Sequence, residues 1–199
     1  MDKVLHRVIV PTMRHKIERY QRAIKGLVVS VLLRFKGVKV ADRVVIEGRS
    51  PFIVPDGDLY LGSRISFRSL YGTIRIIIRG GARLSIGARC FINNGCSIES
   101  FSDVEIGDHC LIGDSVQIMD NNYHQISEGS LPRVARVRIG RNVWLANRCL
   151  ILAGVEIGDH SVVGAGAVVT KSFPPRSIIG GNPARLIGQV QCSDDWIRR

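Results

Sequence analysis

The chain has 199 residues, enough for one domain with a modest appendage, and at 45% hydrophobic it holds the aliphatic side chains a core needs. Only 6% of residues are aromatic and the formal charge is +11, but the cations crowd one end and lack an interleaved stacking platform, which argues against nucleic acid as a partner. Five cysteines (90, 96, 110, 149 and 192), an odd number with no C-x-x-C pair, argue against a disulfide framework or a thiolate metal cage and agree with a reducing compartment; the four inside the repeats (90, 96, 110 and 149) read as packing residues.

Residues 1–43 hold eleven Lys or Arg against Asp2, Glu18 and Asp42, a net +8. Within them Met13, Ile17, Tyr20, Ile24, Leu27, Val28, Val31, Leu32 and Phe35 recur at threes and fours, so residues 1–37 read as a basic helical segment with an apolar stripe, from which Arg14, Arg22 and Lys25 stand apart. Two compatible roles are open for it. One is a cap over the open end of the coil that follows; the other is an amphipathic helix whose residues 12–36 rest on an anionic leaflet. The longest apolar run, 27–33, contains Ser30 and is too short to cross a bilayer, and acidic Asp2 with the brief run 8–10 argues against a cleavable signal. The expectation is a cytoplasmic protein, peripheral on the inner membrane if the second role applies.

Residues 38–83 suggest irregular initial coils. Val38, Val40, Val44 and Ile46 look like early strands, Leu59 and Leu61 before Gly62 like a first unit, and TIRIII at 73–78 like a strand, with Pro51, Pro55, Gly57, Gly80 and Gly81 at the bends. From Ile86 a period of six sets in: Ile86, Ile92 and Ile98, then, after a gap of eight, Ile106, Ile112 and Ile118. The extra pair must bulge at a corner. The next aliphatic residue in phase is Ile139, 21 positions on; the polar stretch between, holding Gly129, Pro132 and His124, predicts an excursion loop over about 119–137. Ile139, Leu145, Ile151, Ile157, Val163 and Val169 then follow at intervals of six, with Gly140, Ala146, Gly158, Gly164 and Thr170 behind five of them. A helix requires threes and fours and a long strand twos; sixes make a short strand and a bend, three to the turn. The fold class is therefore all-β, a parallel solenoid of triangular section behind an N-terminal helix.

The run NVWLANRCLILAGVEIGDHSVVGAGAVVTKSFPPRSIIGGNPARLI at 142–187, with the repeat and the histidine loop before it, resembles the hexapeptide-repeat acyltransferases, a family that includes galactoside, maltose, serine and many polysaccharide-modifying acetyltransferases. The likeness covers roughly residues 84–188. It implies a left-handed β-helix over 38–188 with a C-terminal tail at 189–199, acetyl-CoA as acyl donor, no metal, and a homotrimer in which His124 of one subunit faces the coenzyme groove of the next. It further implies His124 as general base, with Asn93 beside the acetyl group. Glu99 and Asp103 would sit near the acceptor or orient His124, and Trp144 near the pantetheine arm. Asn147, Ala165, Thr170, Lys171 and Arg185 would lie along the coenzyme. The H-Q-I at 124–126 departs from the H-P of the sugar acetyltransferases and leaves the acceptor open. The expected activity is O-acetylation of a sugar or surface-polysaccharide precursor. Transfer to an amino-sugar nitrogen, to serine or to an antibiotic, a metal-dependent hydratase and a non-catalytic scaffold stay open beside it. His109 and His160, both in I-G-D-H, read as solvated corner residues, and His6 and His15 belong to the basic helix.

Overall fold

The structure, a computed structural model, describes residues 2–198, with side chains for Glu18 and for 20–198. Six turns of coil stack three parallel walls. Wall A carries Lys39–Val40, Asp58–Leu61, Arg83–Ile86, Asp103–Ile106, Val137–Ile139 and Glu156–Ile157. Wall B carries Val45–Gly48, Ser66–Ser69, Phe91–Ile92, Leu111–Ile112, Trp144–Leu145 and Val162–Val163, and wall C carries Phe52–Pro55, Arg75–Ile78, Ser97–Ser100, Gln117–Met119, Leu150–Ile151 and Val168–Val169. Ser177–Gly180 adds to wall B in parallel, and Arg185–Gln189 closes it antiparallel.

The six-residue phase drops one aliphatic residue into each wall per turn, and successive turns bring these residues into register. Ile86, Ile106, Ile139 and Ile157 are stacked on wall A, Ile98, Ile118, Ile151 and Val169 on wall C, all fully buried. Each stabilises the prism by about 1.5–3 kcal/mol. The small residue behind the aliphatic one has a direct steric cause. A Cβ on Gly107 would stand 2.7 Å from the backbone carbon of Gly140 in the next turn, so the coils close only if this corner carries no side chain. Further round the same edge, His109, Asn142 and His160 take φ near +60°, which gives the corner its left-handed step.

The first turns are uneven in length, as expected, with Val40 in register with Leu61 and Leu61 with Ile86 where the late coil sets Ile139 on Ile157, yet they pair through full strands of four residues such as Asp58–Leu61 and Arg75–Ile78. Cys90, Cys96, Cys110 and Cys149 are buried in the column. The first three donate to the carbonyls of Gly107, Gly113 and Gly140, and burial pushes the Cys96 and Cys149 thiols up to about 12, which leaves them unreactive.

The helix α1 (Asp2–Phe35) caps the first turn, but with the face opposite the apolar stripe. The first turn has no coil beneath it to accept the Val44 N–H; the Ser30 hydroxyl does so at 3.0 Å and itself donates to Gly26 O at 2.7 Å. A Cβ on Gly26 would stand 2.0 Å from the Val44 carbonyl oxygen, so only glycine permits this approach. Leu33 enters the core, Arg22 pairs with Glu47 at 3.0 Å, Arg34 donates to the carbonyls of Val40 and Asp42, and Lys25 to that of Gly48. The bulky stripe could not come this close to backbone, and it is turned outward. Among the described residues no helix is long and apolar enough to cross a membrane.

Candidate active site

A groove of about 700 Å³ runs along the edge between walls B and C, past the corners of five turns. Four of its lining residues come from one repeated position, the second residue after the inward aliphatic of wall B: Asn94, Asp114, Asn147 and Ala165. Three of them form a ladder. Asn94 Oδ1 accepts from the backbone of Leu70 at 2.7 Å, Asn94 Nδ2 donates to Asp114 Oδ1 at 2.9 Å, and Asn147 Oδ1 accepts the Asp114 N–H at 2.9 Å. At the next corner position Gly95, Ser115, Arg148 and Gly166 all have positive φ. Tyr71 and Gly72 close one end, while the exposed Ala165 and Gly166 leave main chain open at the other.

Asn93 stands beside this ladder. Its Oδ1 accepts both the N–H and the side-chain Nδ2 of Asn94, at 3.1 and 2.9 Å, so its own amide NH₂ is the group it can present. Arg185, exposed at the start of the closing strand, lies on the same side of the prism, paired in register with Gly180.

His124 belongs to another edge. The segment 120–136 leaves the coil between walls C and A on a stalk held at its base by buried Asp120. The Asp120 carboxylate accepts the N–H groups of Phe101, Ser102 and Asp103 at 2.8–2.9 Å, which also fixes the two-residue bulge that the sequence required. Asn122 N–H to Arg133 O at 3.0 Å and an antiparallel bridge from Asn121 to Val134 zip the stalk, and Tyr123 stacks edge-on against Phe101 at 5.1 Å. His124 sits exposed above it, with apolar Ile126 and Leu131 at the tip.

Glu99 lies on wall C in register with Met119, at the foot of the loop. It is only 9% exposed; Oε1 accepts from Ser97 Oγ at 3.0 Å, and Oε2 has no hydrogen-bond partner among the described residues. Asp103 is engaged elsewhere. Arg83 binds it through Nε and Nη2 at 3.1 and 2.8 Å, and Arg136 approaches at 3.2 Å. The Arg83 hydrogen bonds hold its carboxyl below the usual carboxylate range, and it belongs to an ion-pair row on wall A that has Glu105 at its other end. Thr170 and Lys171 are exposed at the corner after Val168–Val169, also on the C–A side, with Lys171 Nζ 5.7 Å over Phe173.

One expectation, that of a solvated His160, is corrected by the C-terminal tail, which packs back on the prism. Arg141 donates to Asp194 O, Arg176 pairs with Asp194, and the Asn142 amide both donates to Trp196 O at 2.8 Å and accepts the Arg198 N–H at 2.9 Å. Trp144 points out from wall B under the Arg198 guanidinium, 5.9 Å from its ring, and is not among the residues lining the groove. His160 is not solvated: it is 3% exposed, its Nδ1 lies 2.9 Å from Asn142 Nδ2, and burial, then Arg141, lowers its pKa below 6.5. Among the described residues no group of three or more His, Cys, Asp or Glu could hold a metal ion.

The structure thus brings Asn93, Asn147, Ala165 and Arg185 to one edge and His124, Glu99, Thr170 and Lys171 toward another. Between them lies wall C, whose four-residue strand Ser97–Ser100 spans roughly 13 Å. The readings from sequence missed Asn94, Asp114, Ser115 and Arg148, although their phase with Asn147 was available to find them.

Residues 136–171 match the family model described as bacterial transferase hexapeptide (six repeats). The galactoside O-acetyltransferase of Escherichia coli is 33% identical over 117 residues, 57% of this chain and 58% of the relative, so the chain spans little more than half of that protein. The maltose O-acetyltransferase of Clostridium difficile superposes with a TM-score of 0.51 at 28% identity, covering 76% of this chain and 71% of that one. AntD of Bacillus cereus, an N-acyltransferase solved with dTDP and coenzyme A, shares the fold at a TM-score of 0.62 and 19% identity, over 77% and 84% of the two chains. With its phase of six from Ile139 to Val169, its three parallel walls and these likenesses, the chain is similar to the hexapeptide-repeat acyltransferases over its coil.

Proposed function

We propose that the protein is an acetyl-CoA-dependent O-acetyltransferase acting on a sugar or surface-polysaccharide precursor in the cytoplasm, and that it works as a homotrimer. The observation that carries this reading is the division of the site. One edge offers a narrow groove lined by side-chain amides and open main chain, the other an exposed histidine on a stalk, and wall C lies between them in one chain. Packing copies around a threefold axis would lay the loop of one over the groove of the next. The relatives' names supply the acyl chemistry and the sugar class.

In this reading the pantetheine arm lies past Asn147, Ala165 and Gly166, where small side chains leave room, and Arg148, Arg185 and Lys171 meet the coenzyme phosphates. The acceptor hydroxyl attacks the thioester carbonyl as His124 removes its proton. The Asn93 amide N–H steadies the negative charge that forms on the carbonyl oxygen. As the tetrahedral intermediate collapses the C–S bond breaks, and the imidazolium returns its proton to the departing thiolate. No acyl-enzyme forms. Glu99, with one buried oxygen open, receives an acceptor hydroxyl.

The test is complementation between subunits. Thiol release from acetyl-CoA is measured over a panel of sugars and sugar nucleotides for wild type, for His124→Ala and for Ala165→Trp. Each variant is expected to be inactive alone, and an equal mixture reassembled from unfolded chains is expected to regain about a quarter of the wild-type rate, the share of interfaces that pair an intact loop with an intact groove. A mixture that stays inactive removes the shared site, and an active His124→Ala protein removes the base.

A further inference from the structure

We propose that the outward stripe of α1 docks on a bilayer surface bearing anionic headgroups and so sets the N-terminal end of the prism against it. The inference stands on the helix alone and does not require the acyl-transfer reading.

Capping the solenoid consumes the Gly26, Ser30 and Leu33 face and leaves Ile24, Leu27, Val28, Val31, Leu32 and Phe35 between 40% and 86% exposed on the other. With Tyr20 at its start the stripe runs about 22 Å along the axis. A helix used only as a cap has no reason to keep large aliphatic residues on its wet side; contiguous exposure of this kind marks a binding surface. The charge around it selects the occupant. In helical register Lys25 falls along one border and Arg34 along the other. Lys25 and Arg34 are anchored to neutral carbonyl oxygens, and Lys36 and Lys39 follow exposed at the helix end. The helix as a whole has eight Lys or Arg against two acidic residues, net +6. A second copy would bring the same +6 helix, or another face of a +11 chain, against it. An apolar strip bordered by cations instead fits the boundary between acyl chains and anionic headgroups. Because the opposite face is fixed to the first turn by Arg22–Glu47 and the Ser30 bridge, the prism would stand on its capped end.

The experiment is flotation of the full chain with vesicles of phosphatidylcholine alone and of phosphatidylcholine with phosphatidylglycerol, in low and in high salt, with the assembly state followed by light scattering. Wild type is expected to float with the anionic vesicles in low salt and to be released by high salt. The variant combining Leu27→Ser, Val31→Ser and Phe35→Ser is expected to lose about tenfold in partitioning with unchanged circular dichroism and unchanged assembly. A single Phe35→Trp change, which spares the rest of the stripe, is expected to shift the added emission to the blue on anionic vesicles. The proposal is overturned if wild type stays at the bottom of the gradient, if Phe35→Trp emission does not move, or if the triple variant assembles to a smaller particle, which would make the stripe a contact between subunits.

Discussion

Along the edge between walls B and C one rule repeats: an inward aliphatic, a small or amide residue, then Asn94, Asp114, Asn147 or Ala165 in strict phase. From Ile86 onward the edge between walls C and A breaks the rule twice, by two residues at 101–102 and by fifteen within 120–136, and both breaks are held by one carboxylate, that of Asp120. The first edge is built by the solenoid itself and needs nothing further to be a groove. The second is built by departing from the solenoid, and its histidine is presented to solvent. A repeating scaffold supplies rigid binding surface cheaply in sequence, whereas a reactive side chain aimed at a neighbour requires an interruption and an anchor for it.

The largest effect that separates the two edges is kinetic. His124→Ala should lower kcat by about 10²–10⁴-fold and leave the KM for acetyl-CoA unchanged, since the groove is untouched. Ala165→Trp, in contrast, should raise that KM beyond the measurable range, which leaves the variant inactive at the acetyl-CoA concentration of the mixing test. Steady-state rates against acetyl-CoA decide this, and a rise of KM in His124→Ala would mean that the two edges are not separate in function.

Next comes the anchor. Asp120→Ala strands three part-buried main-chain N–H groups and should cost roughly 3 kcal/mol, seen as a lower urea midpoint with earlier proteolysis within 120–136. Asp120→Asn keeps one acceptor oxygen and should lose about half as much. A loss below about 1 kcal/mol for Asp120→Ala would show that the main-chain zip from Asn122 to Arg133 holds the stalk unaided.

Corner glycines sharpen the contrast further. Gly107→Ala places Cβ 2.7 Å from the backbone of the next turn and should cost about 2–3 kcal/mol. Gly166, at φ +67° on the groove edge, has nothing within 4 Å of that position, so Gly166→Ala should cost only the left-handed strain, about 1 kcal/mol. Thermal melts of the pair separate crowding from conformation.

What the sequence revealed and what it hid follow from the range of the interactions involved. Ile86 to Val169 are placed by phase alone, so the column, the bulge and the excursion were all legible. Asn94 and Asp114 obey the same phase, but it had been followed only through the aliphatic residues. The helix misled because its strongest periodic signal, from Tyr20 to Phe35, marks the face that does not touch the prism; the touching face is chosen by a 2.0 Å approach at Gly26 and a hydroxyl at Ser30, which carry little hydropathy. Trp144 was placed off the inward column and His160 at its corner, but their surroundings come from a tail 38 to 54 positions on, a tertiary contact that no local pattern encodes.

That tail carries the smallest predicted effect, a dependence of stability on pH. The Asn142 amide is oriented by the Arg198 N–H, which occupies its oxygen; its NH₂ must then donate to Trp196 O and to His160 Nδ1. Neutral imidazole accepts there, and imidazolium cannot. Around the ring stand Arg141, Arg176 and Arg198 against Asp159 and Asp194, so the local balance also disfavours a further positive charge. The folded pKa lies below the ordinary 6.5, hence in the window beneath 6.5 the unfolded chain binds more protons than the folded one. The stabilising contribution is full above 6.5 and is lost as pH falls below it toward the folded value. His160→Asn, which tolerates the φ of +62° and does not titrate, should flatten the urea midpoint between neutral pH and the onset of carboxylate titration while lowering the neutral-pH midpoint slightly. If the wild-type slope survives in His160→Asn, some other group governs it and the tail is not coupled to this imidazole.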